Sequence, residues 1–283
     1  MLPRMEISFG REVASVVLKA FVVLVTFTIL IFVSNFWYTE KVSVSDGICN
    51  IAVLPIEGVI LPFVGYGEYE LVTTPATVRA FMESIKDDPA IKGVMYEINS
   101  PGGAPVASEQ ISDIIREGNI PSLSLIGDVA ASGGYMIAAA ADIVLASGMS
   151  DVGSIGVTMS YLENSKQNEE EGLTYVELNS GKFKDAGNPN KPLSDEERAL
   201  FEKDLSVVHD LFVKRVAELR EKTVEEISTL ADGSSMPGTR ALEVGLIDGL
   251  GGRKMAKQVF AETLRLTEEE VIFCEYQPET FIF

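Results

Sequence analysis

Residues 92–146 read KGVMYEINSPGGAPVASEQISDIIREGNIPSLSLIGDVAASGGYMIAAAADIVLA, and their alternation decides the fold. Lys92–Ile98 is an apolar run bounded by turn residues, as expected of a buried strand. Pro105 opens a helix to Glu117, with proline in the first turn where its missing N–H costs nothing. Ser122–Ile126 is the next strand, Gly133–Ala141 a short helix, and Ile143–Ala146 a strand again. Upstream, Ile51–Leu54 forms a strand before Gly58, and Thr74-Pro75 starts a helix through Asp87. Repeated strand–helix units predict an α/β fold whose sheet is parallel or mostly parallel, with helices packed on it. Further on, Thr174–Leu178 reads as a strand. Ser194 caps a long helix that carries Asp195, Glu196 and Glu197 first and Arg215, Arg220 and Lys222 towards its end, the order a helix dipole favours.

The 283 residues suffice for one large domain or two small ones. Lys and Arg number 23 against 42 Asp and Glu, a net charge of −19, which argues against a nucleic-acid binder. The sole histidine, His209, rules out zinc sites built from two or three histidines. Cys49 and Cys274 are too few for a disulfide scaffold and read as buried small hydrophobes, with pairing left open if the domain lies outside the cytoplasm. The tail from Val271 to Phe283 mixes Phe and Tyr with acids and could form an edge strand.

From Ala20 to Val33 the chain carries no charge, and from Val13 the apolar run is interrupted only by Lys19. That length matches the ~20 residues needed to cross a bilayer, and Trp37 and Tyr38 follow where an interfacial belt would sit. Residues 1–40 are therefore expected to be a short cytoplasmic tip and one uncleaved membrane anchor, with residues 41–283 as one acidic domain. Arg4, Arg11 and Lys19 precede the span and Lys41 follows it, which favours an N-terminus in the cytoplasm and a domain outside it. Within residues 1–40, Arg4, Arg11 and Lys19 balance Glu6, Glu12 and Glu40, so the negative charge belongs to the domain.

Two glycine turns end predicted strands. Asn99-Ser100-Pro101-Gly102-Gly103 can present backbone N–H groups to an oxyanion, although a plain strand-to-helix turn has the same composition. In Gly127–Tyr135, Ser132 sits among small residues at a helix start, a place for either a nucleophile or an ordinary N-cap. A serine nucleophile needs a base. His209 lies within the long helix among apolar neighbours and reads as a satisfied or surface histidine. Lys184, in the Gly-rich loop Asn179–Gly187, is the remaining candidate.

The ordered series NSPGG, GDVAASGGYMIA, DVGSIGV and NSGKFKDAG, followed by ADGSSMPGTRALEVGLIDGLGG, closely resembles the signal peptide peptidase A family of serine proteases. The likeness covers roughly residues 51–252. It implies the ClpP/crotonase superfold and a Ser–Lys dyad: Ser132 as nucleophile, Lys184 as general base and Ser154 orienting the lysine. The Gly103 and Gly133 amides would form the oxyanion hole. It also implies a homo-oligomer with active sites shared between protomers, peptide substrates such as remnant signal peptides, and neither cofactor nor metal. Ala104 departs from the family pattern, standing where many members have a third glycine. Two other readings stay open: an acyl-CoA hydratase or isomerase of the same superfold, and a catalytically silent membrane-anchored scaffold.

Overall fold

The computed structural model describes residues 6–37, 47–64 and 71–275, and the chain divides into two units, Met1–Ser43 and Val44–Phe283. In the first unit the described residues form one helix, α1 (Glu6–Trp37), whose described side chains, residues 13–28, are exposed. Over the described residues no helix is long and apolar enough to cross a membrane.

The second unit begins with β1 (Ile51–Ile60), β2 (Val72–Thr73), α2 (Pro75–Ile85), β3 (Gly93–Gly103) and α3 (Pro105–Glu117). It continues with β4 (Ser122–Ala131), α4 (Gly133–Ala138), β5 (Ile143–Ala146), β6 (Asp151–Gly153) and α5 (Ser165–Glu170). After α6 (Asp195–Leu219) come α7 (Val224–Ser228), β7 (Ser235–Pro237), α8 (Gly238–Glu243), β8 (Gly249–Leu250), α9 (Arg253–Leu264) and β9 (Phe273–Glu275). The sheet order is β2-β1-β3-β4-β5-β8, parallel throughout, with β9 also parallel to β1 and only β7 antiparallel, to β6. This is the mostly parallel α/β sheet expected from the alternation.

Both faces of the central strands are buried, so their side chains alternate between two cores. Ala52, Leu54, Ile56, Val94, Tyr96 and Ile98 face a layer formed with α2, α3, α4 and α6. Ile51, Val53, Met95, Leu123 and Leu125 face α9, through Ala256, Phe260 and Ala261. β4 changes partner partway: Leu123–Ile126 pair with β5, whereas Val129–Ala131 pair with β6. That change carries the C-terminal end of β4 away from β5 and aims Ser132 out of the sheet.

Several expectations need correction. α4 ends at Ala138 because Ala140 and Ala141 bond three residues back, to the Ile137 and Ala138 carbonyls, tightening the chain out of the α-helix. Residues 174–178 form no strand; Leu178 is 91% exposed, and no strand of the described chain accepts this backbone as a partner. Cys49 and Cys274 are buried as expected, but they are joined in a disulfide. β9 realises the edge strand over 273–275, while the rest of the tail, 276–283, lies outside the described residues.

Candidate active site

Ser132 is the link between β4 and α4, with φ 52° and ψ −124°, a conformation costly for a residue with a Cβ. Its N–H donates to the Gly153 carbonyl at 2.8 Å, and its own carbonyl accepts from Tyr135 N at 3.0 Å and Met136 N at 3.1 Å. Those three bonds fix the strained turn from both sides. The hydroxyl does not cap the helix, so the ordinary N-cap explanation fails and the half-buried side chain is left for other work. A serine at a sharp, strained strand-to-helix turn is the same device as the nucleophile elbow of other hydrolases.

The two glycine turns interlock here. A Cβ on Gly103 would fall 2.1 Å from the Ile60 carbonyl oxygen, and one on Gly133 would fall 2.2 Å from Ser108 Oγ and 3.6 Å from Gly103 N. A side chain at Gly103 would therefore collide with β1, and one at Gly133 with Ser108 on α3. As the first residue of α4, Gly133 has no intrahelical acceptor for its N–H.

Ser154 follows Gly153, the residue that binds Ser132 N, and itself has φ 48°. Its N–H donates to the Ser234 carbonyl at 3.0 Å and its hydroxyl to the Gly233 carbonyl at 3.1 Å. The structure thus gathers Ser132, Gly133, Gly103 and Ser154 around one point of the sheet. It does not bring in Lys184, which is exposed. Among the described residues no hydrogen bond or ion pair joins its ammonium to Ser132 or Ser154. His209 accounts for itself elsewhere, with Nε2 hydrogen-bonded to the Ala231 carbonyl at 2.9 Å.

Of the three lysines in 182–191, two are engaged. Lys182 pairs with Glu196 at 2.7 Å, while Lys191 Nζ reaches Glu177 Oε2 at 2.8 Å and Glu197 Oε1 at 3.0 Å. Tyr175 Oη donates to Asp185 Oδ2 at 2.6 Å and Asn188 Nδ2 to Asp185 Oδ1 at 3.0 Å, so the residue beside Lys184 is tied down. Hydrogen bonds donated by Lys191 to Glu177 and then Glu197 push the ammonium above the usual lysine range. Tyr175 and then Asn188 hold Asp185 below the usual carboxylate range, and the Ser194 amide followed by Lys191 does the same for Glu197.

The sign of the pH dependence follows. The lowered carboxylates stabilise the loop above their unfolded pKa, near 4, and lose that contribution as pH falls through their native values. The raised lysine contributes below about 10.4 and fades as pH rises beyond it. Amide protection over 185–191, corrected for intrinsic exchange, should be level between about pH 5 and 9 and decline below about pH 4. Undiminished protection at pH 3 would contradict this assignment.

Sequence reasoning missed Ser100 and Ser108, both fully buried against the two glycine turns. In sequence they are simply a turn serine and a helix serine.

The fold and site together set a strained, uncapped serine beside two glycine backbones on a mostly parallel α/β sheet. Residues 115–267 match the model of peptidase family S49. The chain belongs to that family. It is 35% identical over 202 residues to the candidate signal peptide peptidase SppA of Enterococcus faecium, a match covering 70% of this chain and 58% of that protein. It is 32% identical over 193 residues to a candidate protease of Methanocaldococcus jannaschii, covering 68% of this chain and 62% of the other. The match to the chloroplastic serine protease SPPA of Arabidopsis thaliana is 33% identical and covers 62% of this chain but 26% of that protein. The matched region thus spans less than two thirds of each of these relatives.

Proposed function

We propose that the chain is a membrane-anchored endopeptidase of the ClpP/crotonase superfold that hydrolyses remnant signal peptides and other short apolar peptides through a Ser132–Lys184 acyl-enzyme. The observation that carries this reading is the strained, uncapped Ser132 beside the Gly103 and Gly133 backbones. In the proposed reaction neutral Lys184 takes the Ser132 Oγ proton as that oxygen attacks the scissile carbonyl. The new oxyanion accepts hydrogen bonds from Gly103 and Gly133, each such donor worth roughly 2.7–4 kcal/mol in the transition state. Collapse breaks the C–N bond, and the lysine passes its proton to the leaving amine. It then takes a proton from water as the water oxygen attacks the ester carbonyl, and as the C–Oγ bond breaks it returns that proton to Ser132 Oγ, releasing the acid product. Ser154 orients the ammonium between these steps.

A lysine acts as a base only where it is desolvated. Lys184 is exposed in the single chain, and the segment carrying it displays unsupported apolar side chains, with Leu162 85% exposed and Val176 70% exposed. Both features support a homo-oligomer in which this segment packs on a neighbour and delivers Lys184 to the neighbour's Ser132. The exposed Phe63, Val64 and Leu71, near the end of β1 that pairs with Gly103, suit an apolar peptide.

The anchor rests on sequence, on the uncharged run 20–33 and the basic residues ahead of it. The Cys49–Cys274 disulfide favours a domain outside the cytoplasm, where such bonds persist.

Mixing Ser132→Ala and Lys184→Ala subunits tests the shared site. In a random equal mixture about a quarter of the sites would carry both wild-type groups, and activity should return to about that level. No recovery in verified mixed oligomers would reject the sharing.

A further inference from the structure

We propose that Ser100 is a positioning residue for the oxyanion hole, holding the Gly102–Gly103 turn in register through a hydroxyl relay to Gly58. The inference rests on the reading of Gly103 and Gly133 as oxyanion donors and adds a residue to which that reading gives no role.

The relay arises where both ladders of β3 break. Against β1 the register passes from Glu57↔Asn99 to Val59↔Gly102, so β3 carries one residue more than its partner. Against β4 it passes from Ile98↔Ile126 to Ser100↔Ala130, so there the excess lies on β4. Ser100 sits between these irregularities, and Pro101 beside it has no N–H to offer. Backbone groups displaced from a ladder inside a protein need other partners. The Ser100 hydroxyl supplies them: Oγ donates to the Gly58 carbonyl at 2.7 Å and accepts from the Gly102 N–H at 3.1 Å. Ser100 is completely buried, so no solvent can replace either bond.

Both ends of the relay are conformationally special. Gly58 has φ 69° and Gly102 has φ 97°, a region that disfavours any residue with a Cβ. Gly102 also lies directly against the nucleophile turn. A Cβ there would fall 2.8 Å from Gly133 N and 2.9 Å from Ser132 Cβ. The peptide that follows Gly102 carries the Gly103 N–H. Fixing the Gly102 N–H therefore sets the direction of one oxyanion donor and its spacing from the other. From the opposite side, the Ser100 carbonyl and Cβ close on Gly134, 2.6 Å and 3.2 Å from where its Cβ would be. One buried serine thus references both glycine turns to β1, and every member of the relay belongs to the same chain as Ser132.

The test compares Ser100→Ala and Ser100→Cys with wild type in the intact oligomer. It measures kcat and KM on an apolar peptide, the Ki of a peptide aldehyde, and Tm. The aldehyde forms a hemiacetal with Ser132 whose oxygen occupies the hole, whereas KM in a slow variant reports ground-state binding. Deleting an oxyanion donor costs about 10²–10³ in kcat, so misdirecting one should cost about 10- to 100-fold. The expected result is that loss in kcat, an equal rise in aldehyde Ki and a KM within about twofold of wild type. The cysteine variant, with its weak S–H donor, should fall between serine and alanine.

Wild-type kcat and aldehyde affinity in folded Ser100→Ala would overturn the inference. If the alanine variant does not assemble, Ser100→Cys decides it on the same two readouts. Ser132→Ala runs alongside: persistent activity there would defeat the underlying dyad, separately from any result at Ser100.

Discussion

Replacing Ser132 with alanine is expected to lower kcat by about 10⁴- to 10⁶-fold, the range seen when the nucleophile of a serine hydrolase is removed. Tm should barely move, because the hydroxyl caps nothing and the turn is held by backbone bonds to Gly153, Tyr135 and Met136. Lys184→Ala should produce a loss of similar order, and the double variant little more, since the two groups act in one proton transfer. Lys184→Arg should be as poor as alanine, because a guanidinium keeps its proton. Stability should again be unaffected, as Lys184 makes no side-chain bond among the described residues. Peptidase assays of the purified variants, with Tm measured beside them, check all four. Near-wild-type turnover in either single variant would remove that residue from the mechanism.

The second large effect is on stability. Cys49, just ahead of β1, is bonded to Cys274 in β9, 225 residues away. By loop-closure entropy a cross-link of that span disfavours the unfolded chain by roughly 5 kcal/mol. For a domain of this size, 1 kcal/mol moves Tm by about 2–4 °C, so Cys49→Ser with Cys274→Ser should lower it by roughly 10–20 °C. The native structure has other fastenings at this edge: Asn50 Nδ2 donates to the Glu270 carbonyl at 2.7 Å, and Ile272 N donates to Asn50 Oδ1 at 3.0 Å. β9 should therefore stay on β1 in the folded variant. Activity at 25 °C should persist, because the bond lies at the start of β1 and Ser132 beyond the far end of the sheet's strands. Equal Tm for the oxidised and the double-serine protein would contradict this account.

The central strands and helices were legible because local pattern and tertiary fate agree there. Pro105–Glu117 and Ile143–Ala146 fall at their predicted bounds. Ser194 is the N-cap of α6, completed by Glu197 as a capping box. β6 and β7 are three-residue strands whose existence depends on partners far along the chain, so no local periodicity announces them. Residues 174–178 show the converse: the pattern suits a strand, yet among the described residues no strand pairs with it.

The site divides in the same way. Ser132, Ser154, Gly103 and Gly133 stand out as motif residues, and the structure gathers them. The strain at Ser132 and the relay through Ser100 arise from register breaks between strands, which a linear reading cannot locate. The cysteines could be counted, but only their tertiary approach pairs them.

The most direct measurement is covalent. A peptidyl phosphonate that esterifies activated serines should add once per chain in the intact oligomer, and peptide mapping by mass spectrometry should place it on Ser132. An apolar substrate peptide should slow the labelling, and Lys184→Ala should prevent it. Labelling at another residue, or none in a preparation that hydrolyses peptides, would contradict the assignment of Ser132 as the nucleophile.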